Sequence, residues 1–486
     1  MTRFRRRELP LCAAVVPLIF LIIALVITLF IAGANAVQSV SQPILLMASA
    51  LAIVIAVVGY GRGWRAMKVG MLKSAQQILP TIPILVLIAC VSATWMLSGV
   101  VPSLITYGIG FLSHKTFLVS VCIISAVISL MSGSSWTTIA TIGVAFMGIG
   151  TIWGYSPAWI AGAVISGAYF GDKVSPLSDT TVLASSSCGV ALMAHIRNMM
   201  WTSGPAMVIA LAVFSFAGFA ETTQEAIHSS EIVGDLQQIF HITPYTLIIP
   251  AITVLMIILR FNSNIVLGVS SICGVVGILT LQPQILTALH GGELTSVADY
   301  IFTIAKSLLL PTNLPAENAA TAELIATAGV EGMVPTITLI LSAMVFGGSM
   351  MGTGMLSTIT HTIKHHLRRR VSIVSATTLA GISLNACTGD QYLSIILNGN
   401  IFKALYQKSG LPAMLLSRTV EDSTSVTSVL IPWNSCGLTQ SAVLGVPTLT
   451  YLPYCIFNIA SPIVSILFSL VVVYHRRLVH GLRFSR

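Results

Sequence analysis

Charge is what this 486-residue sequence has least of. Only 8% of its residues are Asp, Glu, Lys or Arg, against roughly 25% in a soluble globular chain. With 55% hydrophobic residues and a mean hydropathy of +0.92, that scarcity excludes a water-facing fold and reads as an all-α, polytopic membrane protein. The sequence also lacks a phosphate-binding glycine loop, a zinc-protease helix and a nucleophile elbow, so ATP-driven pumping and intramembrane hydrolysis find no support. No enzyme and no cofactor is expected. Paired cysteines are missing too: Cys12, Cys90, Cys122, Cys188, Cys273, Cys387, Cys436 and Cys455 stand singly, without metal-ligand spacing, and read as small buried side chains. No small-residue cleavage site follows the first apolar run, so residues 11–33 read as an uncleaved span. A net charge of +9 would suggest nucleic acid in a soluble chain. Here the basic residues gather at span ends, as the positive-inside rule expects, and no nucleic-acid partner is expected.

Against this background one stretch stands out. Residues 166–185 carry Asp172, Lys173 and Asp179 inside an otherwise apolar chain, together with Gly171 and Pro176. Charge in hydrocarbon is costly and persists where it faces a protein interior or a watery cavity. Gly171 and Pro176 argue against a continuous helix, and a broken helix frees backbone amides and carbonyls for binding. The segment 421–428 repeats the pattern: laid over 171–178 without a gap, it pairs Asp172 with Asp422, Ser175 with Ser425 and Ser178 with Ser428, an offset of 250. Residues 102–107 resemble 356–361 at an offset of 254. Two nearly equal offsets indicate an internal duplication of about half the chain, the construction of many secondary transporters.

The expected layout follows. Residues 1–10 form a basic cytoplasmic amino terminus with Arg3, Arg5, Arg6 and Arg7, and 11–40 the first transmembrane helix. Residues 41–220 form the first membrane repeat, with Arg62, Arg65, Lys68 and Lys73 in a cytoplasmic loop. An acidic extracytoplasmic linker spans 221–243, with Glu221, Glu225, Glu231 and Asp235. A second membrane repeat spans 244–475, and 476–486 is a basic cytoplasmic tail. Val100–Leu112 is too short to cross and reads as re-entrant or interfacial, while residues 132–138 read as a second helix break. The loop 107–115 carries one lysine, whereas its counterpart 361–370 is strongly basic. Opposite charge at matching loops is the sign of two inverted-topology repeats, with broken helices or re-entrant hairpins at the membrane midplane. Trp136, Trp153, Trp201 and Trp433 read as interfacial anchors.

Of the 15 acidic residues, only Asp172, Asp179, Asp390, Glu421 and Asp422 fall at expected membrane depth. Burial and a nearby cation shift a carboxylate in opposite directions, so such groups can exchange protons near neutral pH. Lys173 beside Asp172, and Arg418 beside Glu421 and Asp422, are the expected charge partners. Around the acids lie oxygen donors suited to a small hard cation: Ser175, Ser178, Thr180 and Thr181, then Thr424, Ser425, Thr427, Ser428 and Asn434. Serine and threonine also cap helices and pack small interfaces, so each alone is ambiguous. Asn385 and Asp390 are candidates to complete the site from the second half. His361, His365 and His366 have zinc-like spacing but sit among basic residues, where a solvated face is the expected role and pH sensing the alternative.

The segment 171–181 resembles the NhaC family of Na⁺/H⁺ antiporters, and residues 421–437, with Glu421, Asp422, Trp433 and Asn434, resemble that family's second-half signature. The resemblance covers roughly residues 40–475. It implies inverted repeats, helical hairpins and sodium–proton coupling. Carried over by position, it makes Asp172, Ser175, Asp179 and Thr180 candidates for cation and proton binding, with Asp422, Thr424 and Asn434 opposite them and Na⁺ at Asp172, Asp179 and Asp422. The expected activity is exchange of Na⁺ for H⁺ by alternating access. The alternative is a Na⁺- or H⁺-coupled carrier of a small organic acid, malate or lactate in type, or of an amino acid. The expected location is the bacterial inner membrane, with both termini cytoplasmic, and a homodimer is left open.

Overall fold

The computed structural model describes residues 9–220, 227–365 and 370–481. Arg3, Arg5, Arg6, Arg7, Glu221, Glu225 and His366 lie outside the described residues. An apolar chain in lipid must satisfy its backbone hydrogen bonds within each segment, which leaves helices as the default. The described residues are accordingly helical, apart from connecting segments and one isolated bridge between Thr312 and Thr327. Among them, eight helices are long and apolar enough to cross a membrane, or ten if each bent pair is counted as one span. The bent pairs are Glu231–Ile239 with Pro244–Ile258, at 89°, and Thr448–Tyr454 with Ile456–Leu470, at 57°.

The order of elements repeats. In the first half, Thr81–Leu97 leads through Gly99 into the short helix Val100–Phe111, and Phe117–Ser132 is followed by a span resuming at Ser135. Pro157–Val174, a break, Asp179–Cys188 and Leu192–Ala220 complete it. The second half runs Val334–Gly352, Met355–His365, Arg370–Thr388, Gln391–Lys408 and Ala413–Val420, the last continued by the wide turn Glu421–Ser425. A break, Ser435–Leu444 and Ile456–Gly481 close it. Three pairs of glycines punctuate both halves at positive φ: Gly99 and Gly354, Gly133 and Gly389, Gly189 and Gly445. Only glycine enters that region without strain, so each pair ends a helix at the same step of the pattern.

Several expectations are corrected in detail. Gly171 does not break the helix, which runs on to Val174. A Cβ at Gly171 would lie 2.1 Å from the carbonyl oxygen of Ala126, and one at Gly167 equally close to that of Cys122. These glycines let the Pro157–Val174 helix press onto Phe117–Ser132, the small-xxx-small device of membrane helices, and the break is left to Pro176. Ser178 and Ser428 are not equivalent. Ser178 caps the helix that follows its break, while Ser428 lies in a short 3-10 turn and the corresponding cap is Asn434. The second break is longer, so a gapless register fails past Ser425. Arg65, Lys68 and Lys73 lie on a helix, Trp64–Ile78, rather than in a loop. Finally, the Trp433 indole is buried and donates to the Ala386 carbonyl at 2.7 Å, so Trp433 is not an interfacial anchor.

Candidate functional site

Four helix ends converge on the charged region. The Pro157–Val174 helix brings Asp172 and Lys173 in its last turn, and its C-terminal carbonyls are held by Thr181, which donates from Oγ1 to the Lys173 carbonyl at 3.0 Å. Ser134 caps the helix that carries Ser135. Asp390 caps Gln391–Lys408, its Oδ1 accepting from the Leu393 amide at 2.7 Å. Asn434 caps Ser435–Leu444 by accepting from the Cys436 amide. Each cap is a Ser, Asn or Asp with an extended backbone, the residue types that satisfy the orphan N–H groups of a first turn.

The carboxylates have different surroundings. Asp172 Oδ2 accepts from the Ser135 hydroxyl at 2.8 Å. Lys173 does not pair with its neighbour. It forms a buried ion pair with Asp422 in the other half and donates to Ser461 Oγ at 2.8 Å. The same Asp422 Oδ1 accepts from Thr202 at 3.2 Å and from Ser461 at 3.3 Å, and Arg418 Nε lies 4.0 Å from Oδ2. Both cations also rest on aromatic rings, Lys173 on Phe457 at 5.6 Å and Arg418 on Phe468 at 4.7 Å. Glu421 is wholly buried, and neither carboxylate oxygen is reached by a hydrogen bond of normal geometry, although the Ser425 and Thr180 hydroxyls lie beside it. Asp179, expected at depth with the others, is exposed at the start of its helix and borders a cavity.

That cavity measures about 410 Å³ and is reached by Asp172, Asp179, Ser135, Trp136, Gln391 and Arg260. Such a volume falls in the range of about 300–1,000 Å³ seen for small-molecule sites. Its wall contains the sole positive-φ residue other than glycine among the described residues, Arg260 at φ 63°. A long side chain in that conformation is uncommon and marks a backbone constrained by its surroundings. The three acids named for sodium, Asp172, Asp179 and Asp422, are not gathered into a metal-holding group of His, Cys, Asp or Glu among the described residues. Asp172 and Asp179 border the cavity, while Asp422 is fully buried and paired with Lys173.

The remaining candidates take mixed parts. Ser175 donates to the Leu130 carbonyl at 2.8 Å, tying the break to the neighbouring helix, and Thr180 bonds Ser178 at 3.0 Å. Asn385 donates to the Thr424 carbonyl at 2.6 Å, and Ser425 Oγ is buried without a partner. His361 is exposed on Met355–His365. Sequence reasoning missed Ser135 as a ligand of Asp172, it missed Thr202, Ser461, Asn398 and His195 altogether, and it read Arg260 only as the cytoplasmic end of a span. A signal existed for two of them: Thr202 and Ser461 stand just before the helix-interior prolines Pro205 and Pro462, at matching places in the two halves.

Interrupted helices, apolar spans and a cluster of buried charges at the helix breaks define a multi-pass, all-helical membrane protein of the transporter kind. The sequence model described as the Na⁺/H⁺ antiporter family matches residues 8–186 and 167–473, and the chain belongs to that family. It is 36% identical over 407 residues to the Na⁺/H⁺ antiporter NhaC of Alkalihalophilus pseudofirmus, covering 84% of this chain and 85% of that protein. It is 32% identical to the arginine/ornithine antiporter ArcD of Halobacterium salinarum, over 93% of this chain and 90% of that one. It is also 32% identical to the malate-2H⁺/Na⁺-lactate antiporter of Bacillus subtilis, over 77% and 78% of the two chains.

Proposed function

We propose that this protein exchanges Na⁺ for H⁺ across a bacterial inner membrane by alternating access, with both termini cytoplasmic. In this reading, residues 41–220 and 244–475 are inverted repeats whose broken helices meet at the midplane. The observation that carries it is the arrangement of Asp172: bonded to Ser135, bordering the cavity, and next in sequence to a lysine locked onto the opposite half. A carboxylate reached from solution can take up a proton or a cation. The buried Lys173–Asp422 pair behind it keeps a conducting path from opening through the centre. When the halves rearrange, Asp172 is offered to the other side with whatever it holds. Family membership and similarity to the antiporter NhaC support sodium and protons as cargo.

A coupled carrier of a small organic acid or amino acid is the second reading. It is favoured by Arg260 in the wall of a cavity larger than a bare ion needs, with Asp172 and Asp179 also at its border. The relatives named for arginine, ornithine, malate and lactate keep it open. Radioactive sodium uptake into proteoliposomes under an imposed pH gradient separates the two readings. Uptake without any organic solute is expected, and uptake that requires one would replace the first reading with the second.

A further inference from the structure

Three carboxylates and two cations meet at the centre, and the pairing is uneven. Lys173 and Arg418 both face Asp422, while Asp172 has its serine and the cavity. Glu421 is wholly buried with no ion pair of its own among the described residues; the Ser425 and Thr180 hydroxyls lie beside it without reaching normal hydrogen-bond geometry, and Lys173 is committed to Asp422. An unpaired carboxylate in that setting is stable only with a proton or a cation on it. Its turn also carries an unusual set of oxygens. Ser425 Oγ, one turn on, is buried without a partner. The Asn385 amide donates to the Thr424 carbonyl and to Thr427, and the Asn398 amide donates to Thr424 Oγ1 at 3.3 Å and to the Thr377 carbonyl at 3.2 Å. With the nitrogens anchored, both amide oxygens remain buried and unpartnered. These unsatisfied acceptors surround the turn that carries the carboxylate, and oxygens left without donors are the ligands a dehydrated hard cation takes.

We propose that Glu421 is a second ion-carrying carboxylate, holding a proton in one state and, with Ser425, Asn385 and Asn398, a dehydrated monovalent cation in the other. The assignment rests on the antiport reading and adds a site to it. The cation enters as the proton leaves to the solution then in contact with the site, so Glu421 and its occupant sum to zero charge in both states. The charged or titratable groups around it are Asp172 and Lys173 on one helix, Cys188 on another, itself near Lys403, and Arg418 and Asp422 on its own. The packed helices Arg370–Thr388 and Ile456–Gly481 contribute neutral Asn385 and Asn458 beside the same turn.

The test is Na⁺-driven proton flux by the full chain in proteoliposomes, with the apparent KM for Na⁺ measured against pH. For each carboxylate at which the ions compete, KM rises about tenfold per pH unit on the acid side. The wild type is expected to show this competition. Glu421→Gln, which keeps the shape and removes the charge, is expected to lower the slope of log KM against pH by about one, and Glu421→Asp to restore part of it. An unchanged slope and KM in a folded Glu421→Gln protein would overturn the proposal while leaving the antiport reading intact. No Na⁺-dependent flux in the wild type would overturn both. If Glu421→Gln is not recovered folded, Asn398→Ala decides: a KM about tenfold higher with the pH slope kept supports the site, and an unchanged KM refutes it.

Discussion

Lys173 and Asp422 lie 249 positions apart in sequence and meet as a buried ion pair, with Ser461 and Thr202 completing the shell of the carboxylate. The pair joins the end of one broken helix to the wide turn of another. Removing the lysine alone leaves Asp422 buried with Arg418 only at 4.0 Å. Breaking a buried pair from one side costs about 3–5 kcal/mol, whereas replacing both partners by apolar groups is often close to neutral. Lys173→Met is therefore expected to lower the melting temperature in detergent sharply, and Lys173→Met combined with Asp422→Leu and Arg418→Met, which leaves none of the three charges buried alone, to recover most of the loss. Equal melting of the single variant and the wild type would show that the pair contributes little.

A second prediction concerns packing. A methyl group at Gly171 has no room, because the Ala126 carbonyl oxygen lies 2.1 Å from where the Cβ would be and the Leu130 amide nitrogen 2.7 Å. Gly171→Ala is expected to cost at least about 1–3 kcal/mol by overpacking, and to disturb Asp172 one residue on. A thermal shift assay checks the cost. Gly204→Ala is the control, since a Cβ there would meet nothing within 4 Å and a change near zero is expected.

The contrast between Gly171 and Pro176 shows how far the sequence was legible. Both looked like helix breakers, but proline acts through its own ring and missing N–H, so its effect is local and readable. Glycine at 171 answers to a backbone more than 40 residues earlier, which no local pattern reveals. The same limit hid the partner of Lys173. Adjacency suggested Asp172, but successive residues on a helix point about 100° apart, and the lysine faces the other half. The recurring order of helices and breaks was legible from polar residues at near-equal offsets, because few charges occur to blur the match. Asn434 in place of Ser428 as the helix cap was not, since the second break is longer. Thr202 and His195 were missed because single polar residues in long apolar helices carry little periodic signal.

Outside the spans, a pH effect can be stated with its sign. Asp299 in the capping box of Val297–Leu309 accepts from the backbone of Ser296 at 2.9 Å, and this and its other bonds to Ser296 and Thr295 hold its carboxyl below the usual range. A group whose folded value is depressed stabilises its helix above the unfolded value and loses that contribution as pH falls through the folded one. The first turn is therefore expected to fray in acid, and Ser296→Ala to move the fraying to higher pH. Amide hydrogen exchange at residues 297–301 would register this, and an identical acid profile in the variant would remove the cap from the explanation.

The central claim is that Asp172, at the border of the cavity, carries the exchanged ions. Proteoliposomes holding wild-type protein or Asp172→Asn are given an inward Na⁺ gradient without organic solute, and lumenal pH is followed. The account predicts lumenal alkalinisation with the wild type and none above protein-free vesicles with a folded Asp172→Asn protein. Equal alkalinisation by the two proteins would contradict it.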